Sequence, residues 1–300
     1  DYIKIESGDF SGLTIIIVSL AKIDISEKND GSLMSQISKD LKTLTITGTG
    51  EMKYLGYNES IWFNYKSFIT TVKINQGMTS IGEAAFYGFD CLTSVTIPSS
   101  VISIEWCAFG NCDSLSSITI PNGVSYIDSV AFDNCDSLTS ITIPSSVTSI
   151  EGFAHCVNLI SINVDDENTE FSSLDGVLFD KEKKRIIQYP EGKKENSYTI
   201  PSSVTSIGVN AFDYCSSLRS IKIPSGVTEI EPQAFQYCSG LTSITIPNGV
   251  KGIGRHVFDG CNSLISIKIP SSVTYIDGSA FYDCSSLKSI EIPSSVTKII

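Results

Sequence analysis

Three hundred residues, 41% hydrophobic and 18% charged, carry enough apolar surface for a large folded core. The formal charge of −12 argues against a phosphate-binding surface, because affinity for nucleic acid is built on clustered Lys and Arg; no nucleic-acid partner is expected. No stretch reaches the roughly 18 apolar residues that span a bilayer, and the most apolar run, Leu13 to Ala21, is short, β-branched and followed by Lys22, so no membrane insertion within this chain is expected.

Residues 1–74 show no period and read as an N-terminal β-rich lead-in and cap. Leu44-Thr-Ile46-Thr-Gly48 alternates as a half-buried strand does, and Ile61-Trp62-Phe63 is an apolar cluster. A stacked array needs such a cap with a polar outer face. The chain starts at Asp1 rather than Met, as expected of a mature or trimmed chain, so the missing leader leaves the location open.

From Asn75 a unit of 23 residues returns. Proline recurs at 98, 121 and 144, and again at 201, 224, 247, 270 and 293. Self-similarity at this period marks a stacked array in which no unit buries its apolar face alone. Residues 75–164 hold repeats 1–4, and residues 198–300 hold repeats 5–8 plus a truncated repeat. In each unit Leu-x-x-Ile-x-Ile predicts a strand, with β-branched residues on a pleated surface. Proline then stops the ladder because it has no N–H to donate. Val-x-x-Ile crosses the coil as a second short strand, and Ala-Phe-x-x-Cys turns back. Eight coils stacked about 4.8 Å apart predict a parallel sheet roughly 40 Å long.

Residues 165–197 interrupt the period. Asp175-Gly-Val-Leu-Phe179 and Arg185-Ile-Ile-Gln-Tyr189 flank a charged turn and predict a β-hairpin, either a ligand-contacting flap or a spacer packed on the convex side. The acidic residues from Asp165 lack the spacing of a calcium loop. Past Pro293 the last unit stops midway, which is expected of a cut-short chain or of weak end-on association; the chain is otherwise expected to be a monomer.

Seven of nine cysteines (Cys112, Cys135, Cys156, Cys215, Cys238, Cys261 and Cys284) follow the repeat Phe by three residues, whereas Cys91 and Cys107 do not. Stacking turns the seven into one column, read as a buried reduced column, with disulfides between coils and a metal role as alternatives. No CxxC pair of the kind thiolate zinc sites use is present. His155 and His256 occupy different repeat positions, and Cys156 belongs to the buried column, where a thiolate is disfavoured. No phosphate loop, dinucleotide fingerprint or zinc-protease motif occurs. No catalytic residue, metal or cofactor is therefore assigned, and the chain is not expected to be an enzyme.

The outward strand positions remain. The third position of the strand motif is Ser in all eight units, and the fifth includes Thr119, Thr142, Thr245, Lys222 and Lys268. Small hydroxyls suit a solvated sheet on structural grounds alone. As a binding surface they form a neutral floor, with Arg219, Lys222, Lys268 and Lys288 as a basic strip in the C-terminal half.

Leu-x-x-Ile-x-Ile-Pro-Ser-Ser-Val-Thr-Ser-Ile followed by Ala-Phe-x-x-Cys resembles the BspA-like class of leucine-rich repeat proteins over roughly residues 41–300. The resemblance implies a leucine-rich-repeat solenoid of the α/β repeat class, mostly β, with right-handed coils and a parallel concave sheet. It also implies a secreted or cell-surface protein in adhesion, with a protein or glycan ligand. Asp-Gly-Val-Leu-Phe inserts and lead-ins like residues 44–63 occur in the same family. An architectural spacer in a larger surface protein is the rival expectation. The asparagine that usually follows the strand in leucine-rich repeats is missing, so the Ser, Asn and Gly residues after proline are expected to replace its hydrogen bonds.

Overall fold

The computed structural model describes residues 33–52, 62–150 and 152–300, together with the backbone of Ile23–Asp24. The apolar run at 13–21 and Ile61 lie outside the described residues. The chain is a β-solenoid of the leucine-rich-repeat kind, its coils stacked in register at the 23-residue period. Two columns of short parallel strands carry the stack. In one, Ser243↔Ser266, Ile244↔Ile267 and Thr245↔Lys268 pair across coils. In the other, two-residue strands such as Ser80–Ile81, Ser103–Ile104 and Tyr126–Ile127 line up. These are the Val-x-x-Ile crossings.

Why the motif closes into a coil is visible at its turns. In every unit from Pro98 to Pro293 the proline carbonyl accepts a hydrogen bond from the valine N–H three residues on, as with Val101 N to Pro98 O at 3.1 Å. The return turn uses left-handed backbone at two fixed places. The residue two before Phe has φ between 50° and 61° at Ala84, Cys107, Asn210, Gln233, His256 and Ser279. The residue two after Phe is left-handed in all eight coils: Gly88, Asn111, Asn134, His155, Tyr214, Tyr237, Gly260 and Asp283. Gly, Asn, Asp and His are the residue types that visit this region most readily.

Inward side chains form continuous columns. Trp62 stacks on Phe86, and Phe86, Phe109, Phe132 and Phe153 follow with centroids 5.4 to 5.9 Å apart. A second run goes Tyr189, Phe212, Phe235, Phe258, Phe281. The cysteines are free, and all seven of the column are buried. Each donates its thiol to the carbonyl of the preceding coil's aromatic residue, from 3.0 Å for Cys238 to Phe212 O to 3.6 Å for Cys215 to Tyr189 O. The column thus supplies donors that backbone alone leaves missing. Ser after proline does the same for the preceding valine or methionine carbonyl at Ser100, Ser146 and Ser272. Asn168, fully buried, holds the Pro144 and Val147 carbonyls. The missing asparagine ladder is replaced by these groups.

The long ladder is divided. Thr43–Thr47, Thr71–Ile74 and Ser94–Thr96 run parallel, so pairing begins within the lead-in. No strand forms at 117–119. Ser140–Ile143 pairs only with Ser161–Val164, and a further block runs Ser197–Thr199, Ser220–Lys222, Ser243–Thr245, Ser266–Lys268. The break between the last two blocks comes from the insert, which is built into the stack and is not a spacer packed on the convex side. Phe171–Leu174, Val177–Asp180 and Arg185–Gln188 form an antiparallel meander whose third strand pairs in parallel with Ser206–Ile207. It takes the place of a coil. Strand alternation turns Leu178 into the N-terminal core and Val177 and Phe179 into the C-terminal one. Tyr189, 1% exposed, then stands in the phenylalanine column.

Candidate functional site: the outward ladder and the seam between blocks

Period-two alternation buries Ile221 and Ile244 and leaves the residues beside them in solvent. Thr199 is opposite Lys222, and Thr245 is opposite Lys268. With Ser220 opposite Ser243, one exposed row reads Thr199, Lys222, Thr245, Lys268. Alternate rungs place the two ammonium groups' strands about 10 Å apart. Arg219 and Lys288 are exposed but lie outside the strands, at an edge position shared with Thr242 and Ile265. The basic strip therefore resolves into a central pair, Lys222 and Lys268, and two edge residues. Thr142 is outward in Ser140–Ile143, opposite Asn163, in the other block. Thr119 is exposed, in a coil whose ladder strand is absent. The seven residues do not form one patch.

Hydroxyl columns elsewhere are structural. Thr148, Thr228, Thr274 and Thr297 each donate to the carbonyl of the equivalent residue one coil back, as Thr274 does to Lys251 O at 3.1 Å.

A second constellation sits where the meander meets the repeats. The Gln188 side chain bridges the seam, accepting from Phe153 N–H and donating to Phe153 C=O. At Phe86, Phe109, Tyr189, Phe212, Phe235 and Phe258 the aromatic N–H donates to the residue preceding the next aromatic, as Phe212 N does to Ala234 O at 2.8 Å. Gln188 thus continues with its side chain a ladder the backbone does not reach. Beside it lie Glu191 and Asp213, lining a recess of about 380 Å³ with Phe153, Phe171 and Ile187. Glu191 is 8% exposed, and neither its Oε2 nor Asp213 Oδ1 has a hydrogen-bond partner among the described residues. Burial pushes both carboxyls up to about 7, against the opposing pull of His155. His155 Nδ1 lies 2.6 Å from Asp133 Oδ1, a hydrogen bond that raises the imidazole's pKa against its own burial.

The thiol column offers no nucleophile. Burial pushes Cys284, the least enclosed, up to about 11, and the others higher. No group of three or more His, Cys, Asp or Glu among the described residues is placed to hold a metal ion. No helix among them is long and apolar enough to cross a membrane.

Over residues 59–179 and 191–300 the sequence matches the BspA type leucine rich repeat region, in 6 copies. The chain belongs to the BspA-type leucine-rich repeat family. Among solved structures, it is similar to a leucine-rich repeat protein from Eubacterium ventriosum, with 27% identity over 89% of this chain and 91% of that one and a TM-score of 0.64. A leucine-rich cell surface protein from Faecalibacterium prausnitzii is also 27% identical, over 87% of this chain and 93% of that one, with a TM-score of 0.51. The pneumococcal vaccine antigen PcpA shares the fold at 18% identity, over 89% of this chain and 92% of that one, with a TM-score of 0.62. No curated protein matches the chain.

In this BspA-type solenoid Tyr214 and Tyr237 were readable from the sequence only as contact-type aromatics at turns, whereas Gln188, Glu191 and Asp213 escaped sequence reasoning, which sought shared positions rather than departures from them. The available signal was Phe-x-Tyr-Cys at 212–215 and 235–238, where the other coils have Gly, Asn, His or Asp before Cys.

Proposed function

We propose that this chain is a non-enzymatic, extracellular recognition module that binds a protein or glycan through the outward face of its ladder. The observation that carries this is the exposed row Thr199, Lys222, Thr245, Lys268, which offers two cations and two hydroxyls on a rigid sheet of a chain with net charge −12. Such a row suits an acidic or hydroxyl-rich ligand, because its ammonium groups complement negative charge and its hydroxyls donate and accept hydrogen bonds. Membership of a family with a cell-surface relative supports an extracellular setting. The buried, protonated thiol column is consistent with a scaffold role rather than with covalent chemistry.

The test is a matrix-protein and glycan array probed with the intact chain and with a Lys222→Glu/Lys268→Glu variant. The reading predicts at least tenfold weaker, salt-sensitive binding for the variant. Unchanged binding would reject the ladder face, and a chain that binds nothing would favour an architectural spacer.

A further inference from the structure

Away from the ladder row, the seam combines two features that point the same way. The first is uncompensated negative charge. Glu191 Oε2 and Asp213 Oδ1 are buried without a donor among the described residues, a costly arrangement that an incoming donor relieves. Two nearby cations have closer partners, Arg185 Nη2 with Glu231 at 2.7 Å and His155 with Asp133, so His155 only partly offsets the two carboxyls and Lys194 stands exposed at the rim. Asp133 and Asp136 add their charge to the same locus.

The second is an aromatic pair held against conformational preference. Glu191 also lines a trough of about 350 Å³ with Tyr214 and Tyr237. Their ring centroids are 4.6 Å apart, and the His155 ring meets Tyr214 edge-on at 5.0 Å. Both tyrosines are left-handed, with φ of 54° and 51°. A left-handed bulky residue costs about 1–2 kcal/mol, and strain of this kind clusters at ligand clamps. The Tyr237 ring lies over Gly260, where an added Cβ would come within 2.3 Å of it, so the next coil leaves the ring its place. The faces of tyrosine rings attract cations.

We propose that the seam is a second binding site, for an organic cation: an ammonium or guanidinium group on a short aliphatic arm, its charge directed at Glu191 and its arm along Tyr214 and Tyr237. Asp213, which shares the adjoining recess with Glu191 and acts on it through space, strengthens the field. Lys194, exposed at the trough, is the cation such a ligand meets first. The site is independent of the ladder row, so either can fail alone. The carboxyls must ionise to bind a cation. Raised as they are, with His155, Asp133, Asp136, Asp180, Arg185, Lys194, Tyr214, Tyr237 and Asp259 around them, affinity climbs between pH 6 and 8.

The experiment is calorimetric titration of the intact chain at pH 8 and low salt with three probes: acetyl-Gly-Lys-Gly-amide, the same peptide with norleucine for lysine, and cadaverine. The lysine peptide is expected to bind and the norleucine peptide not. Glu191→Gln, which removes an unpaired interior charge while keeping shape, is expected to weaken binding at least tenfold. Tyr214→Asn with Tyr237→Asn, the residue other coils use at this φ, is expected to weaken it several-fold while the thermal midpoint holds or rises. Lys194→Ala is expected to tighten it, and Lys222→Glu/Lys268→Glu to leave it unchanged. Binding of the peptide but not cadaverine identifies a basic side chain of a protein partner, and the reverse identifies a free polyamine. Equal binding of the norleucine peptide, or Glu191→Gln binding like the parent, overturns the proposal.

Discussion

At the residue scale, the thiol column shows how a small apolar side chain is retained for the one polar bond it makes. Cys238 is fully buried and its thiol reaches Phe212 O at 3.0 Å. Cys238→Ala removes the donor and leaves the carbonyl buried, so it is expected to cost about 1–3 kcal/mol in denaturant unfolding; a neutral result would reduce the column to packing alone. The sequence made the column legible, because seven cysteines share one repeat position. Its acceptor was not legible, since the carbonyl belongs to the coil before. The seam carboxyls give a prediction in pH. Glu191 and Asp213 bind protons more tightly folded than unfolded, as does His155. For the two carboxyls the stabilisation is fully present below the unfolded carboxyl range near pH 4 and is lost as pH rises through about 7; that of His155 is present below its own unfolded range near pH 6.5 and is lost above it. The thermal midpoint is therefore expected to be several degrees higher at pH 5 than at pH 8, with the slope flattened in a Glu191→Gln/Asp213→Asn variant.

At the element scale, the meander is the informative case. Two of its strands were readable from Asp175-Gly176 and the alternation around it. Its place was not, because the parallel pairing of Arg185–Gln188 with Ser206–Ile207 depends on which coil lies next, and no local pattern encodes that. Replacing a coil leaves Phe153 without the usual backbone acceptor, and Gln188 repairs this with its side chain. Gln188→Leu fills similar volume but abandons both bonds. It is expected to destabilise by about 1–3 kcal/mol and to speed hydrogen exchange at Phe153 far more than at Phe235; uniform exchange would show that Gln188 is not the bridge.

At the scale of the whole molecule, the period foretold nearly everything about the stack: strand, proline stop, crossing strand and return turn. Departures from the period carried the rest, and there single-sequence reasoning was weakest. Tyr214 and Tyr237 were visible as turn tyrosines before Cys, but their strain shows only once it is known that their position is left-handed in every coil. The basic strip was legible as residues but not as geometry, because Lys222 and Lys268 share a row that Arg219 and Lys288 do not.

All of this rests on coils stacked in register around a sealed inner column, and thiol accessibility measures that seal directly. Of the nine cysteines only Cys91 is half-buried, and the other eight are buried. Native protein treated with excess N-ethylmaleimide and mapped by mass spectrometry is predicted to carry label at Cys91, with the seven column thiols reacting only after denaturation. Rapid native labelling of Cys135, Cys215 or Cys238 would contradict the account.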